Sequence, residues 1–460
     1  MTEQVLGTDS AFTPEKLDIQ PVPDNIKGPD ARSLFYIWFA SNLTIGDFAL
    51  GFLPIFFGFG LVTTIIALIV GNVIGASMLG LMSAIGPKSR VPQMVMGRRS
   101  FGNRGGSIMS VLQWLNTTGW LTINTVLAAF ALSLLISGTL LIYSVILVAA
   151  IVGISAYFGQ KFIHKFEKLM SYLLGIMFIV VTYFALDHLH WTLAYSSNSN
   201  LSMFTQFGIV LALSFSYIMS WGPYASDYSR YIAPNTGMSR VFSYSFLGGF
   251  AASLWLEIAG MLVAIASGMA ATANPASALA PIMGRYFDIG LVGIVLGGIA
   301  ANSINLYSNS LSIRAAGLKL KRITVVIIMS VVAVIFSLIS VVNGFNYSYE
   351  TFLYLLDYWI TPWIGIILAD FFIVNRGKRY GQTSNAKYNL TGIVSYCASI
   401  IISIPFMAPS GFPYGPVAQA LGGVDLSYYV SFVLAMVLYV VMNMISPRMH
   451  KKAAAIINVN

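Results

Sequence analysis

The sequence predicts an all-α polytopic membrane protein of about twelve transmembrane helices, on three observations. Hydrophobic residues make up 57% of the 460 and charged residues only 9%, with a mean hydropathy of +0.78. A soluble protein carries roughly a quarter charged residues, so no water-soluble core hides this much apolar surface. The apolar runs last ~20 residues, the length of a helical span; a membrane strand needs only ~10, which excludes a β-barrel. Lys and Arg, finally, fall on one side of an alternating topology.

The runs lie at about 35–59, 61–85, 108–136, 139–158, 169–186, 203–222, 241–268, 289–312, 323–342, 351–374, 390–408 and 427–446. With the N-terminus in the cytoplasm, the inner loops hold Lys88, Arg90, Arg98, Arg99 and Arg104, then Lys161, Lys165 and Lys168, then Arg230 and Arg240. Arg314, Lys319, Lys321 and Arg322 follow span eight; Arg376, Lys378, Arg379 and Lys387 follow span ten. Arg448, Lys451 and Lys452 close the chain, and Lys16, Lys27 and Arg32 sit in the first 33 residues, leaving only Arg285 outside. Both termini are therefore expected in the cytoplasm, and a missed or invented span would scramble this one-sidedness.

The N-terminal stretch has six acids, Glu3, Asp9, Glu15, Asp18, Asp24 and Asp30, four prolines and no apolar core of a signal peptide. It reads as a flexible polar tail. The net charge of +9 belongs to topology rather than to nucleic-acid binding. The single cysteine, Cys397, allows no intrachain disulfide, and four histidines form no metal-ligand cluster. No nucleophile–base pair suggests an enzyme and no filter-like repeat suggests a channel. The expected partners are a small molecule and the lipid bilayer, with no cofactor and no obligate protein partner.

Two spans are interrupted. Span one places Ser41, Asn42, Thr44, Gly46, Asp47 and Pro54 inside an apolar run; span six ends in Gly222-Pro223, followed by Asp227 and Arg230. Discontinuous helices at matching positions in two halves point to a secondary transporter built from inverted repeats, with its site near the midplane. Asp47, Glu257 and Asp357 also fall inside spans, where an ionisable group is a proton carrier or a structural pair. Asp227 and Arg230 fall at the cytoplasmic end and read as a structural pair; Asp370 is expected to pair with Arg376.

Span three aligns Asn116, Trp120 and Asn124 at i, i+4 and i+8, an aromatic between amides on one face. That suits a flat heteroaromatic ligand, which needs a stacking plane and paired donors and acceptors. Span eight aligns Asn302, Asn305 and Asn309, amides that require a cavity or another helix.

The run GPYASDYSRYIAP at 222–234, the segment RRSFGNRGG at 98–106, and Gly119-Trp120 with Asn124 together resemble the nucleobase:cation symporter family 1, purine–cytosine permease branch. The resemblance covers about residues 30–446 and implies a LeuT-type fold: a first five-helix repeat at 34–187, an inverted second at 203–374, and two additional helices at 390–446. The tails would be 1–33 and 447–460. It implies uptake of cytosine or purines with a cation by alternating access. The alternative is the same fold carrying allantoin, hydantoin, pyridoxine or a thiamine-like compound, with sodium in the proton's place. By position Trp120 would stack on the base and Asn124 would hydrogen-bond to it. Ser41 or Asn42 would supply the first-span contact and Asn302, with Asn305 beside it, the eighth-span one. On span six Phe215, Tyr217 and Trp221 compete, with Ser216 adding a hydroxyl. Sodium-coupled members hold the ion with first-span carbonyls and two span-eight hydroxyls; aligned on Ala301-Asn302, this chain has Leu296 and Gly297 there. That departure favours H+ over Na+. Asn302-Ser303-Ile304-Asn305 likewise departs from the branch's NN-x-P, which bears on the substrate more than on the fold.

Overall fold

The computed structural model describes residues 12, 15, 17–26, 28–136, 139–189, 199–272, 274–343, 345–379, 386–409 and 412–457. Glu3, Asp9, Lys16 and Lys27 lie outside them. The helices are α1 (Arg32–Asn42), α2 (Ile45–Phe56), α3 (Leu61–Ser89), α4 (Gln93–Leu135), α5 (Leu141–Phe158), α6 (Gln160–Asp187), α7 (Met203–Met219), α8 (Ala225–Ser229), α9 (Met238–Ser267), α10 (Ala280–Met283), α11 (Phe287–Ala316), α12 (Arg322–Asn343), α13 (Phe345–Leu368), α14 (Leu390–Ser403), α15 (Pro416–Ala420) and α16 (Ser427–Ile457). Among the described residues ten helical segments are long and apolar enough to cross a membrane, and α1 with α2, bent by 53°, makes an eleventh. The expected span eleven is the shorter apolar stretch Leu390–Phe406.

Both expected interruptions are breaks in the helical backbone. Between α1 and α2, Leu43 leaves the helical region and Thr44 is extended, its hydroxyl accepting the Asp47 N–H at 3.4 Å as an N-cap. Asp47 thus stands in the first turn of α2, where the helix dipole favours an acid. After α7 the chain narrows into a 3-10 turn, Gly222–Tyr224, and resumes as the five-residue α8. Pro223 suits this start because it has no N–H to leave unpaired.

Span three is longer than expected. The helix begins at Gln93, takes in the whole of RRSFGNRGG, and bends at Gly102 (φ 80°, ψ 170°). A Cβ there would stand 2.7 Å from Tyr388 Cα, so both the dihedral and the contact require glycine. Groups freed by the bend bond to the approach to α14: the N–H groups of Asn103 and Arg104 donate to the carbonyls of Ala386 and Lys387, and Phe101 accepts from Asn389 N.

Two bodies result. In one, α1 and α2 pack on α9, and α3 on α7 and α9; in the other, α4 packs on α11, and α5 on α11 and α12. The helices of spans two, three and four each pack on a helix five spans later, as repeats related by symmetry should.

The N-terminal segment is not free where it is described. Glu15 pairs with Arg230 at 3.3 Å and accepts from Tyr231 and Tyr307; Asp18 pairs with Arg314 at 2.7 Å, Asp24 with Arg379 at 2.7 Å and Asp30 with Arg240 at 3.1 Å. The hydrogen bond from Arg379 holds the exposed Asp24 carboxyl below the usual carboxylate range. Arg90, fully buried, donates to Val22, Pro23, Arg230 and Ile232 carbonyls. The described part of the expected flexible tail is therefore a strap across the basic face, because Glu15, Asp18, Asp24 and Asp30 meet bases there. The helix α16 likewise runs on to Ile457, through most of the expected C-terminal tail.

Gly102→Ala is expected to lower the melting temperature of the detergent-purified protein by several degrees. Gly237→Ala, whose Cβ meets only Ser239 Oγ at 3.9 Å, should leave it unchanged, by fluorescence-detected unfolding.

Candidate functional site

The two breaks are tied to each other. Thr44 Oγ1 hydrogen-bonds the Tyr217 hydroxyl at 2.8 Å, and Asn42 Oδ1 accepts from Trp221 Nε1 at 2.8 Å. Asn42 Nδ2 donates to Trp38 O and the Ser41 hydroxyl to Ile37 O, so both expected first-span contacts are engaged within the protein. Trp221 lies edge-on to Trp38, ring centroids 5.7 Å apart.

Opposite the breaks, one face of α4 gathers buried polar groups that the protein leaves incompletely bonded. Gln113, Asn116, Trp120 and Asn124 share it at helical spacing, and all four are at most 3% exposed. Each keeps a polar atom without a partner: Gln113 Nε2, Asn116 Oδ1, Trp120 Nε1 and Asn124 Oδ1. An unmade hydrogen bond in such a setting costs ~1–3 kcal/mol, and lipid supplies no water in compensation. Tyr217 and Phe352 both meet Trp120 at close to right angles, with centroids at 5.2 and 5.3 Å. Of the three span-six aromatics, Tyr217 is the one that faces Trp120. Phe215 turns to Tyr429 and Ser216 donates to Asp357.

The amides of α11 do something else. Asn302 Nδ2 donates to Leu121 O and Thr125 Oγ1, both at 3.0 Å, and its Oδ1 accepts from Asn305. Asn305 accepts from Tyr224 OH at 2.9 Å, and Asn309 Nδ2 donates to Trp114 O, Thr117 and Thr118. These bonds fasten α11 to a neighbouring face of α4, about a quarter-turn from the one with unpaired atoms. Where two hydroxyls would hold sodium, Gly297 lies against the α1–α2 break: its Cβ, if present, would stand 2.2 Å from Leu43 O.

The buried acids fall into separate groups. Asp47 Oδ1 accepts from Ser253 at 2.7 Å, and Glu257, one turn on, accepts from Asn72 and Ser214. The two carboxyls interact electrostatically, and each keeps one oxygen unpartnered. Gly51 permits this approach, since a Cβ there would stand 2.0 Å from Glu257 O. Asp357 sits apart, between Ser216 and its own helix, with Oδ1 unpartnered. Asp227 and Arg230 attract each other electrostatically, as expected of the pair, without a direct salt bridge. Asp227 accepts from Gln93 N at 2.9 Å, while Arg230 turns to Glu15, because the strap brings an acid directly onto it. Asp370 pairs with Arg99 at 2.6 Å rather than Arg376, being turned inward on the π-helical segment Ala369–Val374.

Sequence reasoning missed four groups. Gln113 was legible, being three residues before Asn116 on the same face. Phe352 acts through a tertiary contact that no local pattern shows. Glu167 and His164 are buried on α6, Glu167 with no partner for either carboxyl oxygen and His164 beside the Tyr228 backbone. The expected span began after them, yet they share the buried phase of Ile163, Met170, Ser171 and Leu174.

A family model described as permease for cytosine/purines, uracil, thiamine, allantoin matches residues 21–431. The chain is 30% identical to the Bacillus subtilis (strain 168) protein YxlA over 459 residues, 95% of this chain and 97% of that one. It is 23% identical to the purine-cytosine permease fcyB of Emericella nidulans, covering 87% and 82% of the two chains. It is 23% identical to the vitamin B6 transporter TPN1 of Saccharomyces cerevisiae, covering 79% and 66%. Its fold matches that of Mhp1, a nucleobase-cation-symport-1 family transporter, in a closed conformation with bromovinylhydantoin bound: TM-score 0.77, 20% identity, 96% of both chains.

Asn302→Ala and Asn309→Ala, which each remove interhelical bonds, should destabilise the purified protein by ~1–3 kcal/mol. Asn124→Ala removes an unsatisfied atom and should not. Thermal unfolding in detergent distinguishes the two classes.

Proposed function

The chain belongs to the family of permeases for cytosine/purines, uracil, thiamine and allantoin, the nucleobase:cation symporter family 1, and on that premise we propose that it imports cytosine or a purine together with a proton. As a member it is a multi-pass membrane transporter rather than an enzyme. The observation that supports the substrate reading is the α4 face at Trp120 and Asn124, where an indole and a carboxamide each bury an unpaired polar atom. Both are uncharged, which suits a neutral, planar ligand with edge donors and acceptors.

A base between Trp120 and Tyr217 needs their rings ~7 Å apart, twice a ~3.5 Å stacking contact. They stand at 5.2 Å and nearly perpendicular, so the ligand must turn Tyr217 as well as push it back by ~2 Å. Tyr217 is bonded to Thr44 at the α1–α2 break, and through it to the body containing α1, α2, α3, α7 and α9. Occupancy of the α4 face would thereby be felt by the body that must move. Binding energy released in one arrangement and not the other supplies the population shift that alternating access requires.

For coupling, Asp47 and Glu257 are the leading carriers, with Asp357 as a separate candidate. Two carboxyls that face each other in lipid without a base do not both bear charge at low cost, so the pair is a place to hold a proton. A sodium ion needs several oxygen ligands, and the glycine against Leu43 offers none from its side chain.

Radiolabelled cytosine and adenine uptake in a nucleobase-transport-deficient host tests the reading. Uptake should survive replacement of sodium by choline, collapse with a protonophore and rise as external pH is lowered. Trp120→Ala should abolish binding with the protein still inserted. Asp47→Asn and Glu257→Gln should keep binding and lose proton-driven accumulation. Sodium dependence would overturn the coupling. Competition by pyridoxine, allantoin or hydantoin, without competition by cytosine or adenine, would overturn the substrate.

A further inference from the structure

Of the four unpaired atoms on this face of α4, two do not belong with the other two. Trp120 and Asn124 lie at the level of Tyr217 and the α1–α2 break. Asn116 is four residues, ~6 Å, nearer the basic end of α4, and Gln113 seven residues, ~10 Å. Asn116 Nδ2 donates to Gln113 Oε1 at 2.9 Å, so the two amides form a linked unit. Each thereby spends one group on the other and keeps one: Gln113 Nε2 as a donor and Asn116 Oδ1 as an acceptor. Both side chains are at most 2% exposed.

A donor beside an acceptor in one fixed unit complements any edge that offers an acceptor beside a donor. A ring nitrogen next to an exocyclic amino group is such an edge, as is a lactam C=O next to its N–H. If both amides flip, the link reverses and the outward pair is again one donor and one acceptor. The unit is therefore selective for the edge pattern and tolerant of which base presents it. Gln113 and Asn116 share the face of α4 that carries Trp120 and stand between it and the basic end of the helix.

We propose that Gln113 and Asn116 form a second, inner binding subsite that receives the planar ligand after it leaves Trp120. It holds one amide- or amidine-type edge by one donated and one accepted hydrogen bond. The proposal rests on the nucleobase reading given above. At Trp120 the base is held by stacking as well as hydrogen bonds, whereas at the inner subsite only the edge is held. The inner subsite consequently governs the rate of release and not the affinity of loading.

The test uses the full-length protein and tritiated cytosine and adenine. Gln113→Met and Asn116→Leu keep side-chain volume and remove the polar pair. Equilibrium binding to purified protein should stay within about 2-fold of wild type, which also shows that the variants are folded. The maximal uptake rate into proteoliposomes should fall ~10-fold or more. The exchange Gln113→Asn with Asn116→Gln, which restores a linked amide pair, should recover part of that rate. Unchanged uptake in both single variants overturns the subsite. So does a loss of binding parallel to the loss of uptake, since the pair would then belong to the Trp120 site or to the packing. If wild-type protein binds neither base and Trp120→Ala changes nothing, the nucleobase reading itself has failed, and the inner subsite fails with it.

Discussion

In lipid a polar group finds its partner inside the protein or goes without, and the seam between α4 and α11 is built on that constraint. Asn302 and Asn309 reach across it to main-chain carbonyls and threonine hydroxyls of α4. They do more than hold two helices together, because they fix the roll of α4 about its axis. With Trp114, Thr118, Leu121 and Thr125 turned to α11, the residues a quarter-turn away must face the interior between the two bodies. Gln113, Asn116, Trp120 and Asn124 are those residues. Amide donors of one helix, bonded across the seam, thus put the unbonded groups of the other in place.

The unsatisfied face gains its meaning from what stands opposite. The breaks in spans one and six expose main-chain and side-chain groups that an unbroken helix would hide, and these are laced together by Thr44–Tyr217 and Asn42–Trp221. Tyr217 belongs at once to the break and to the aromatic cluster on Trp120. A ligand that separates those rings acts on both. The acids stand back from this contact, Asp47 and Glu257 on the α2–α9 interface and Asp357 on α13, so a coupled proton would act on helix packing rather than on the ligand directly.

Much of this was legible in the sequence, and for identifiable reasons. Spans follow from length and hydropathy, and the interrupted ones from Asn, Asp and Gly-Pro in places lipid does not tolerate. Trp120 and Asn124 were readable because helical phase is local. The partners of the long side chains were not. Asp227, three residues before Arg230, looked like a pair, but Arg230 reaches Glu15, some 215 residues earlier in the chain. Asn302 looked like a ligand contact and is a tie to α4, since composition cannot say which of two polar faces meets a neighbouring helix. Gly102 was legible as part of a motif, whereas its role as the bend in α4 depends on the approach of Tyr388.

The most direct measurement is an anomalous-difference map of the protein with 5-bromocytosine bound. The base ring should lie against the Trp120 indole with its edge within hydrogen-bond distance of Asn124, and Tyr217 should stand clear of its present position at 5.2 Å. Bromine density elsewhere, with the Trp120–Tyr217 contact intact and Asn124 unengaged, would contradict the account.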